Sequence, residues 1–279
     1  MPVIERLRGI DRTGWIGLGM LAVVASVAAA APWLAPHDAF ARVGTPYARP
    51  DQTFLLGTDD LGRDLYSQLL LGARTSVVVA LGVATMSTTL ATLVGGWAAV
   101  RGGWVDGLLM RFTDVVLTLP FLPVVVLAAA FLGRTTTERI IVISMLIWAG
   151  PARVIRSGAM SALSRPHVEV ARSMGAGTGW LLVRHTSFVA APLLVPVAVR
   201  AAAGAVGLDA ALSFLGLGDP TTASWGTILY WAQVRGAFLS ESWLWWALPP
   251  GIALAVLVLG LALIGVSSER RLNPTLEQT

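Results

Sequence analysis

The stretch Val77–Val100, VVVALGVATMSTTLATLVGGWAAV, contains no charged side chain. A helix needs about 20 mostly apolar residues to cross the hydrocarbon layer of a bilayer, so this stretch is long enough to span a membrane. The composition of the whole chain agrees, because its 279 residues are 55% hydrophobic and only 13% charged. Soluble domains carry about 25% charged residues. We therefore predict an integral membrane protein.

Six segments of the chain, including this stretch, have the length of a membrane span. They are roughly residues 15–34, 77–100, 115–132, 140–159, 188–207 and 243–264. Only helices and closed barrels satisfy every backbone polar group within lipid, and segments of this length predict an all-α fold with about six transmembrane helices. The third and fifth segments contain prolines, which either kink helices around a pathway or only shape their packing.

The first segment raises the alternative of a cleaved signal peptide, since the small residues 29–31 resemble a cleavage site. Its apolar run of about 20 residues exceeds the usual signal-peptide core of about 7–15. We therefore expect a retained first helix.

The arginines predict the orientation. With six spans both termini share one side, and twelve arginines fall there against seven on the other: 6, 8, 12, 101, 111, 153, 156, 165, 172, 184, 270 and 271 against 42, 49, 63, 74, 134, 139 and 235. Because basic residues accumulate on the cytoplasmic side, both termini are predicted to be cytoplasmic in a multi-pass protein of the plasma or inner membrane.

The resulting organisation is one membrane domain. It comprises a cytoplasmic N-terminus (1–14), a first transmembrane helix (15–34), an extracytoplasmic loop (35–76), a core (77–267) that includes an inner loop (160–187), and a cytoplasmic tail (268–279).

Several chemistries are excluded by residues that the chain lacks. It has no cysteine, and all twenty basic residues are arginine, so thiolate metal sites and a phosphate-binding loop with its lysine are absent. The three histidines are far apart, which predicts neither a metal site nor catalytic residues. The arginines are scattered between apolar runs, which argues against nucleic-acid binding.

The inner loop contains the stretch VEVARSMGAG, Val168–Gly177, which is charged and rich in small residues. Ser164 and Pro166 are suited to a helix start, and Gly175 suits the position just past a helix end. The residues between them predict a helix of about nine residues, roughly 13 Å long.

One face of this predicted helix carries Val168, Ala171, Arg172 and Gly175 by helical spacing. This face is too small to form a core of its own. It would either insert into a groove of another protein or lie on lipid with Arg172 reaching phosphate groups, and these physical arguments leave both alternatives open.

The same segment resembles the EAA loop of permease subunits of bacterial ABC importers. The pattern Glu-Ala-Ala, three residues, Gly is matched from Glu169 to Gly175, with Val170 in place of the first alanine. The resemblance implies a type I-like permease fold in which this loop is a cytoplasmic coupling helix docked on an ATPase subunit. The residues implied in docking are His167, Val168, Glu169, Ala171, Arg172, Met174, Gly175 and Ala176.

Three further blocks resemble the C-type subunit of dipeptide, oligopeptide and nickel importers. They are LGTDDLGRD (56–64), GGWVD (102–106) and LSFLGLG with SWG (212–218 and 224–226). The carboxylates of the first block could also indicate a divalent cation site, but helix capping is the simpler interpretation: Thr58 or Asp59 would start a helix and Asp60 and Asp64 would lie in its early turns.

The resemblance implies a permease that imports peptides, with nickel as an alternative substrate. Implied partners are a second permease subunit in a heterodimer, two ATP-binding subunits and an extracytoplasmic substrate-binding protein, in addition to membrane lipid. ATP and magnesium would bind to the partner ATPases, so this chain would be a transport subunit and not an enzyme.

Arg200 lies near the middle of the fifth predicted span, where an arginine costs roughly 2.5–3.5 kcal/mol on insertion scales. It would face the translocation pathway, pair with the partner permease, or form a structural ion pair inside the bundle. Asp209 is a second possible pathway residue, but it lies half a helical turn out of phase and is not expected to pair with Arg200.

The sequence fits two other functional classes less well. A secondary transporter or channel without an ATPase would need intramembrane carboxylates, and Asp209 is the only candidate within or near a span. An intramembrane enzyme is disfavoured by the missing lysine and cysteine and by the absence of a histidine pair with metal-ligand spacing.

Overall fold

The computed structural model describes residues 11–132, 135–164, 166, 170, 173–175, 177 and 187–272. Its long helices are α1 (Arg12–Leu34), α2 (Leu65–Arg101), α3 (Gly103–Thr118), α4 (Phe121–Leu132), α5 (Thr136–Ile147), α6 (Ala149–Leu163), α7 (Ser187–Leu212), α8 (Trp225–Val234), the short α9 (Trp243–Trp246) and α10 (Leu248–Leu272). A π-helical turn, Ser213–Leu217, extends α7. Within the described residues the structure contains no β-strand, which confirms the all-α prediction.

Four of the helical segments are long and apolar enough to cross a membrane: Arg12–Leu34, Leu65–Arg101, Pro192–Leu217 and Trp243–Arg270. Two bent pairs, α3 with α4 and α5 with α6, bring the number to six if each pair is one span. The prediction of about six spans agrees with this range. Helix α2 begins at Leu65 and not near Val77, and its 37 residues are about 55 Å long, so it extends well beyond the hydrocarbon layer.

The two bends occur beside prolines. Leu119 has extended backbone angles (φ −63°, ψ 137°) because Pro120 disfavours helical geometry in the residue before it, and the chain turns by 90° between α3 and α4. Helices α5 and α6 meet at Trp148 with a bend of 51°. Pro151 follows within the first turn of α6, where a missing N–H costs little.

The block LGTDDLGRD does cap a helix, but not at the predicted residue. Asp64 is the N-cap of α2, and its carboxylate accepts hydrogen bonds from the N–H groups of Tyr66 and Ser67. The prediction that Thr58 or Asp59 starts the helix is wrong, because Asp59 instead closes a tight turn by accepting the N–H groups of Leu61 and Arg63 (2.8 and 2.9 Å). Asp60 consequently lies in the loop.

Helix α2 is the central element, since it packs against α1, α3, α5, α6 and α7. Small residues allow these close approaches. At Gly95, a Cβ atom would lie 2.2 Å from the backbone oxygen of Ala152 on α6. Such contacts are typical of membrane helices, which associate through small residues because lipid provides no hydrophobic driving force between them.

The two ends of the described chain lie at the same end of the bundle. Asp11, the N-cap of α1, forms an ion pair with Arg270 of α10 at 3.2 Å. The loop between α1 and α2 covers the opposite end, where the hydroxyl of Tyr47 donates to the backbone oxygen of Arg235 (3.3 Å). This arrangement fits an even number of membrane crossings.

Candidate functional site

The inner loop after α6 is described only in part. His167, Val168, Glu169, Ala171, Arg172 and Ala176 lie outside the described residues. The N–H of Met174 donates to the carbonyl oxygen of Val170 (3.0 Å), which is a helical spacing, and Gly175 follows with a left-handed φ of +86°. The predicted position of Gly175 just past a helix end therefore has the backbone geometry that glycine supplies there.

Two apolar side chains of this segment are exposed. Met174 is 83% exposed and Val170 is 59% exposed. Ser164, predicted as the start of this helix, is instead the C-cap of α6, and its hydroxyl donates to the carbonyl oxygen of Ser161 (3.0 Å). The exposed methionine and valine leave apolar surface available for contact with another molecule.

Ion pairs connect α6, the helix that leads into this loop, to α3. Arg156 makes two hydrogen bonds of 2.5 Å to the carboxylate of Asp106, and Arg153 pairs with Asp114. Two-pronged contacts between arginine and carboxylate restrict the relative position of both groups. A displacement of the inner loop would therefore move α6 and α3 together.

Sequence reasoning missed these four residues as a group. It considered Asp106 only as part of the block GGWVD, and it counted Arg153 and Arg156 only among the arginines that predict the orientation. A signal was available, since two carboxylates and two arginines lay in or beside predicted spans on the same side. Charged groups at such positions need partners.

Arg200 forms an ion pair with Glu269 of α10 at 2.7 Å, and its side chain is 73% exposed. Glu269 lies beside Arg270, which contacts Asp11 at the end of the bundle. Arg200 therefore lies at the level of the end of α10 that carries Glu269 and Arg270, and it is not buried inside the bundle. The pair borders a cavity of about 250 Å³ between α7 and α10.

Asp209 is buried and pairs with Arg139 of α5 at 2.8 Å. As predicted, it does not pair with Arg200. Arg139 also donates to the hydroxyl of Ser213 (2.9 Å), the first residue of the π-helical turn. With Asp209 only 3% exposed, this carboxylate does not lie on any open surface of this conformation.

Comparison with known proteins identifies the family of this chain. The family described as "binding-protein-dependent transport system inner membrane component" matches residues 91–278, which include α3 to α10 and the inner loop. The chain belongs to this family. The bent α5–α6 helix, the exposed loop after it and the shared end of both described termini are thus features of a permease subunit.

Individual relatives of this permease cover most of its length. A putative peptide permease protein of Brucella suis is 35% identical over 229 residues, covering 82% of this chain and 75% of that protein. A di/tripeptide transport system permease protein DppC of Pseudomonas aeruginosa is 34% identical over 270 residues, covering 94% and 88%. A putative peptide transport system permease protein of Brucella abortus is 34% identical over 286 residues, covering 99% and 93%.

The cation-site alternative for the aspartates of the outer loop finds no support in the described part of the permease. No group of three or more histidine, aspartate or glutamate side chains there is arranged to hold a metal ion. Asp59 and Asp64 instead bind backbone N–H groups, and Asp60 pairs with Arg235 at 3.0 Å.

Proposed function

We propose that this permease subunit imports peptides as part of an ATP-driven complex. The relatives whose names specify a cargo are peptide and di/tripeptide permeases, which favours peptides over the nickel alternative. The complex would contain a second permease, two ATP-binding subunits and an external binding protein. ATP and magnesium would bind in the ATPase subunits, since this chain has no lysine for a phosphate loop.

The observation that carries this proposal is the connection of the inner loop to α6, which ion pairs join to α3. The exposed Val170 and Met174 and the left-handed Gly175 follow α6 in the chain, and α6 is joined to α3 by Arg153 and Arg156. If the loop docks in a groove of an ATPase subunit, closure of the ATPase dimer moves α6 and α3 as one body. The transport pathway then changes between outward-open and inward-open states, and the loop must keep its contact in both.

The loop therefore acts as a mechanical connection and not as a chemical site. Residues 167–176 would contact the ATPase, with Glu169 and Arg172 as its charged groups and Met174 as its most exposed apolar one. We assign both termini and this loop to the cytoplasm, in agreement with the bias of the arginines.

Uptake by the reconstituted complex tests the proposal. The permease would be co-expressed with the permease, ATPase and binding-protein genes adjacent to its own, purified, and placed in proteoliposomes with labelled di- and oligopeptides. We expect uptake that needs ATP and the binding protein and that survives ionophores. Uptake driven by an ion gradient without any ATPase would contradict the proposal and favour a secondary transporter.

A further inference from the structure

A small polar cavity lies where the loop between α1 and α2 meets helix α8, at the end of the bundle opposite the described termini. It has a volume of about 180 Å³ and lies between the turn of residues 59–63 and helix α8. Its polar lining includes Asp59, Asp60, Arg63 and Arg235, and Trp231 and Ile228 contribute apolar surface. The described loop and helix thus form a concave site with several charged groups, which the transport mechanism above does not use.

Three of the charged groups already have partners. Asp59 accepts the N–H groups of Leu61 and Arg63 and the side-chain amide of Gln68 (3.0 Å). Asp60 pairs with Arg235, whose guanidinium also lies over the ring of Trp231, 5.3 Å from the ring centre. These groups form the frame of the cavity.

Arg63 is the exception. Its Nε atom is shielded from solvent and has no hydrogen-bond partner, and its guanidinium makes no ion pair within the part of the chain that the structure describes. Arg63 borders the cavity, and Asp60, the neighbouring carboxylate that interacts with it electrostatically, is already paired with Arg235. The N–H groups of the guanidinium that face the cavity can therefore donate to an acceptor that enters it. A carboxylate is the acceptor whose shape and charge fit a guanidinium best.

The backbone of Arg63 is held rigidly. Its N–H donates to the carboxylate of Asp59 (2.9 Å), and its carbonyl oxygen accepts the N–H of Asp59 (3.0 Å). Gly62 permits this turn with a φ of +76°, and a Cβ atom there would lie 2.1 Å from the carbonyl oxygen of Gly44. A side chain that starts from a fixed backbone loses less freedom on binding, which favours affinity.

The size of the cavity indicates whether the carboxylate belongs to a small peptide or to a side chain of a docking protein. Sites for small molecules usually measure about 300–1,000 Å³, so a cavity of about 180 Å³ is too small for a dipeptide. It has room for one acidic side chain. Its place on the outer loop, beside the exposed Arg235, makes it reachable by a protein that docks from outside.

We propose that this cavity, the Arg63 pocket, receives an aspartate or glutamate side chain of the external binding protein when that protein docks on the permease. The inference rests on the proposed function, because it needs a binding-protein partner. It adds a defined contact: a carboxylate on the partner's docking face pairs with Arg63 between the 59–63 turn and α8.

The affinity of the binding protein for the complete complex in nanodiscs tests this pocket. Arg63→Gln should raise the Kd about tenfold or more, because a desolvated charge-assisted contact is lost, and Arg63→Lys should retain part of the affinity. Arg49→Gln is the matched control on the same loop, since Arg49 is 77% exposed and pairs with Glu241 outside the pocket. It should change the Kd less than about twofold.

A second measurement identifies the partner group and covers the case in which Arg63→Gln does not assemble. Each acidic residue on the binding protein's docking face is changed to its amide, and one change should weaken binding to the unsubstituted complex as much as Arg63→Gln does. The chain has no cysteine, so Thr222→Cys at the rim provides a unique site for crosslinking to a cysteine at that acidic position.

The outcomes separate this inference from the proposed function. Normal binding by Arg63→Gln, equal losses in Arg63→Gln and Arg49→Gln, or no acidic residue whose change weakens binding would each overturn the pocket and leave the importer function intact. A complex that takes up peptides without any binding protein would overturn the pocket together with that part of the proposed function.

Discussion

Arg139 and Asp209 form a buried ion pair, with Nη1 and Oδ1 2.8 Å apart and side-chain exposures of 0% and 5%. The pair joins the start of α5 to the end of α7. Arg139 extends the connection to Ser213, which fits closely against Gly218 and Gly226, since a Cβ atom on either glycine would lie 2.7 Å from a side-chain atom of Ser213. The network therefore fixes the C-terminal end of α7 and its π-helical turn.

Removing one partner of this pair should destabilise the permease strongly. Arg139→Met or Asp209→Leu leaves the other charge buried alone, which typically costs about 3–5 kcal/mol. The double variant replaces both charges by apolar groups and should recover much of the loss. Thermal unfolding in detergent measures all four proteins of the cycle, and additive losses in the double variant would contradict a direct interaction.

Gly95 should tolerate no larger residue. Gly95→Ala places a Cβ atom against the backbone oxygen of Ala152, and overpacking of this kind typically costs about 1–3 kcal/mol because backbone atoms must move. Gly107→Ala is the matched control, since that helical glycine has open space around it. The control should be neutral or stabilising by about 0.5–1 kcal/mol in unfolding measurements. Equal stability of the two variants would contradict the close α2–α6 contact.

The Arg200–Glu269 pair should contribute little to stability. Exposed ion pairs are worth about 0–1 kcal/mol, and Arg200 is 73% exposed. Arg200→Leu should therefore fold normally. The exchange Arg200→Glu with Glu269→Arg should behave like the unsubstituted protein if neither residue has a role beyond their ion pair. Loss of uptake in the exchange, with normal assembly, would indicate that Arg200 contacts the pathway. Loss of assembly would indicate the partner permease, and unchanged uptake and assembly in Arg200→Leu would exclude both roles.

The inner loop should connect ATP hydrolysis to uptake. Gly175→Pro is incompatible with a φ of +86°, because proline fixes φ near −65°, and Glu169→Lys reverses the charge at the start of the predicted coupling helix. Coupling free energies of about 1–3 kcal/mol predict at least a fivefold lower ratio of peptide imported to ATP hydrolysed, with normal membrane insertion.

Gly177→Ala is the control for the loop, because Gly177 has no positive φ and no described residue lies within contact distance of an added Cβ. It should import peptide normally. Full uptake by Gly175→Pro and Glu169→Lys at normal expression would argue against ATPase docking by this segment.

Asp11 should make stability depend on acid pH. Its hydrogen bond from Ser267, followed by that from Thr13, lowers the pKa of the Asp11 carboxyl from 3.8 to about 2. Because the pKa is lower in the folded protein, the stabilisation is fully present above about pH 4 and is lost as the pH falls through about 2. Asp11→Asn keeps a capping side chain but removes this titration. The difference in unfolding temperature between the two proteins should shrink between about pH 4 and pH 2, and a constant difference would contradict the assignment.

The sequence was sufficient for the features that depend on local composition. Long apolar runs such as Val77–Val100 predict membrane helices, because lipid leaves the backbone no other way to satisfy its polar groups. Gly175 could be placed past a helix end from the residues around it, and the left-handed backbone there agrees. Family membership could be anticipated from short blocks whose order and spacing are visible in the chain.

Helix starts and partners of charged residues were predicted less well. Asp64 caps α2 because Asp59 is already bound by the turn of residues 59–63, and neither fact is visible in a block of nearby carboxylates. The sequence could not show that Arg200 pairs with Glu269, because that contact depends on how α7 packs against α10.

Local sequence thus determined that this protein is a bundle of membrane helices with a polar, small-residue segment between two of its predicted spans. Only the tertiary structure decided that Arg139 pairs with Asp209, Arg156 with Asp106, and Arg200 with Glu269, and that Arg63 makes no ion pair within the described residues. The physical reason is that a charge in or near lipid must find a partner, but the partner's identity depends on which helices pack together. That packing follows from small-residue contacts between segments far apart in the chain.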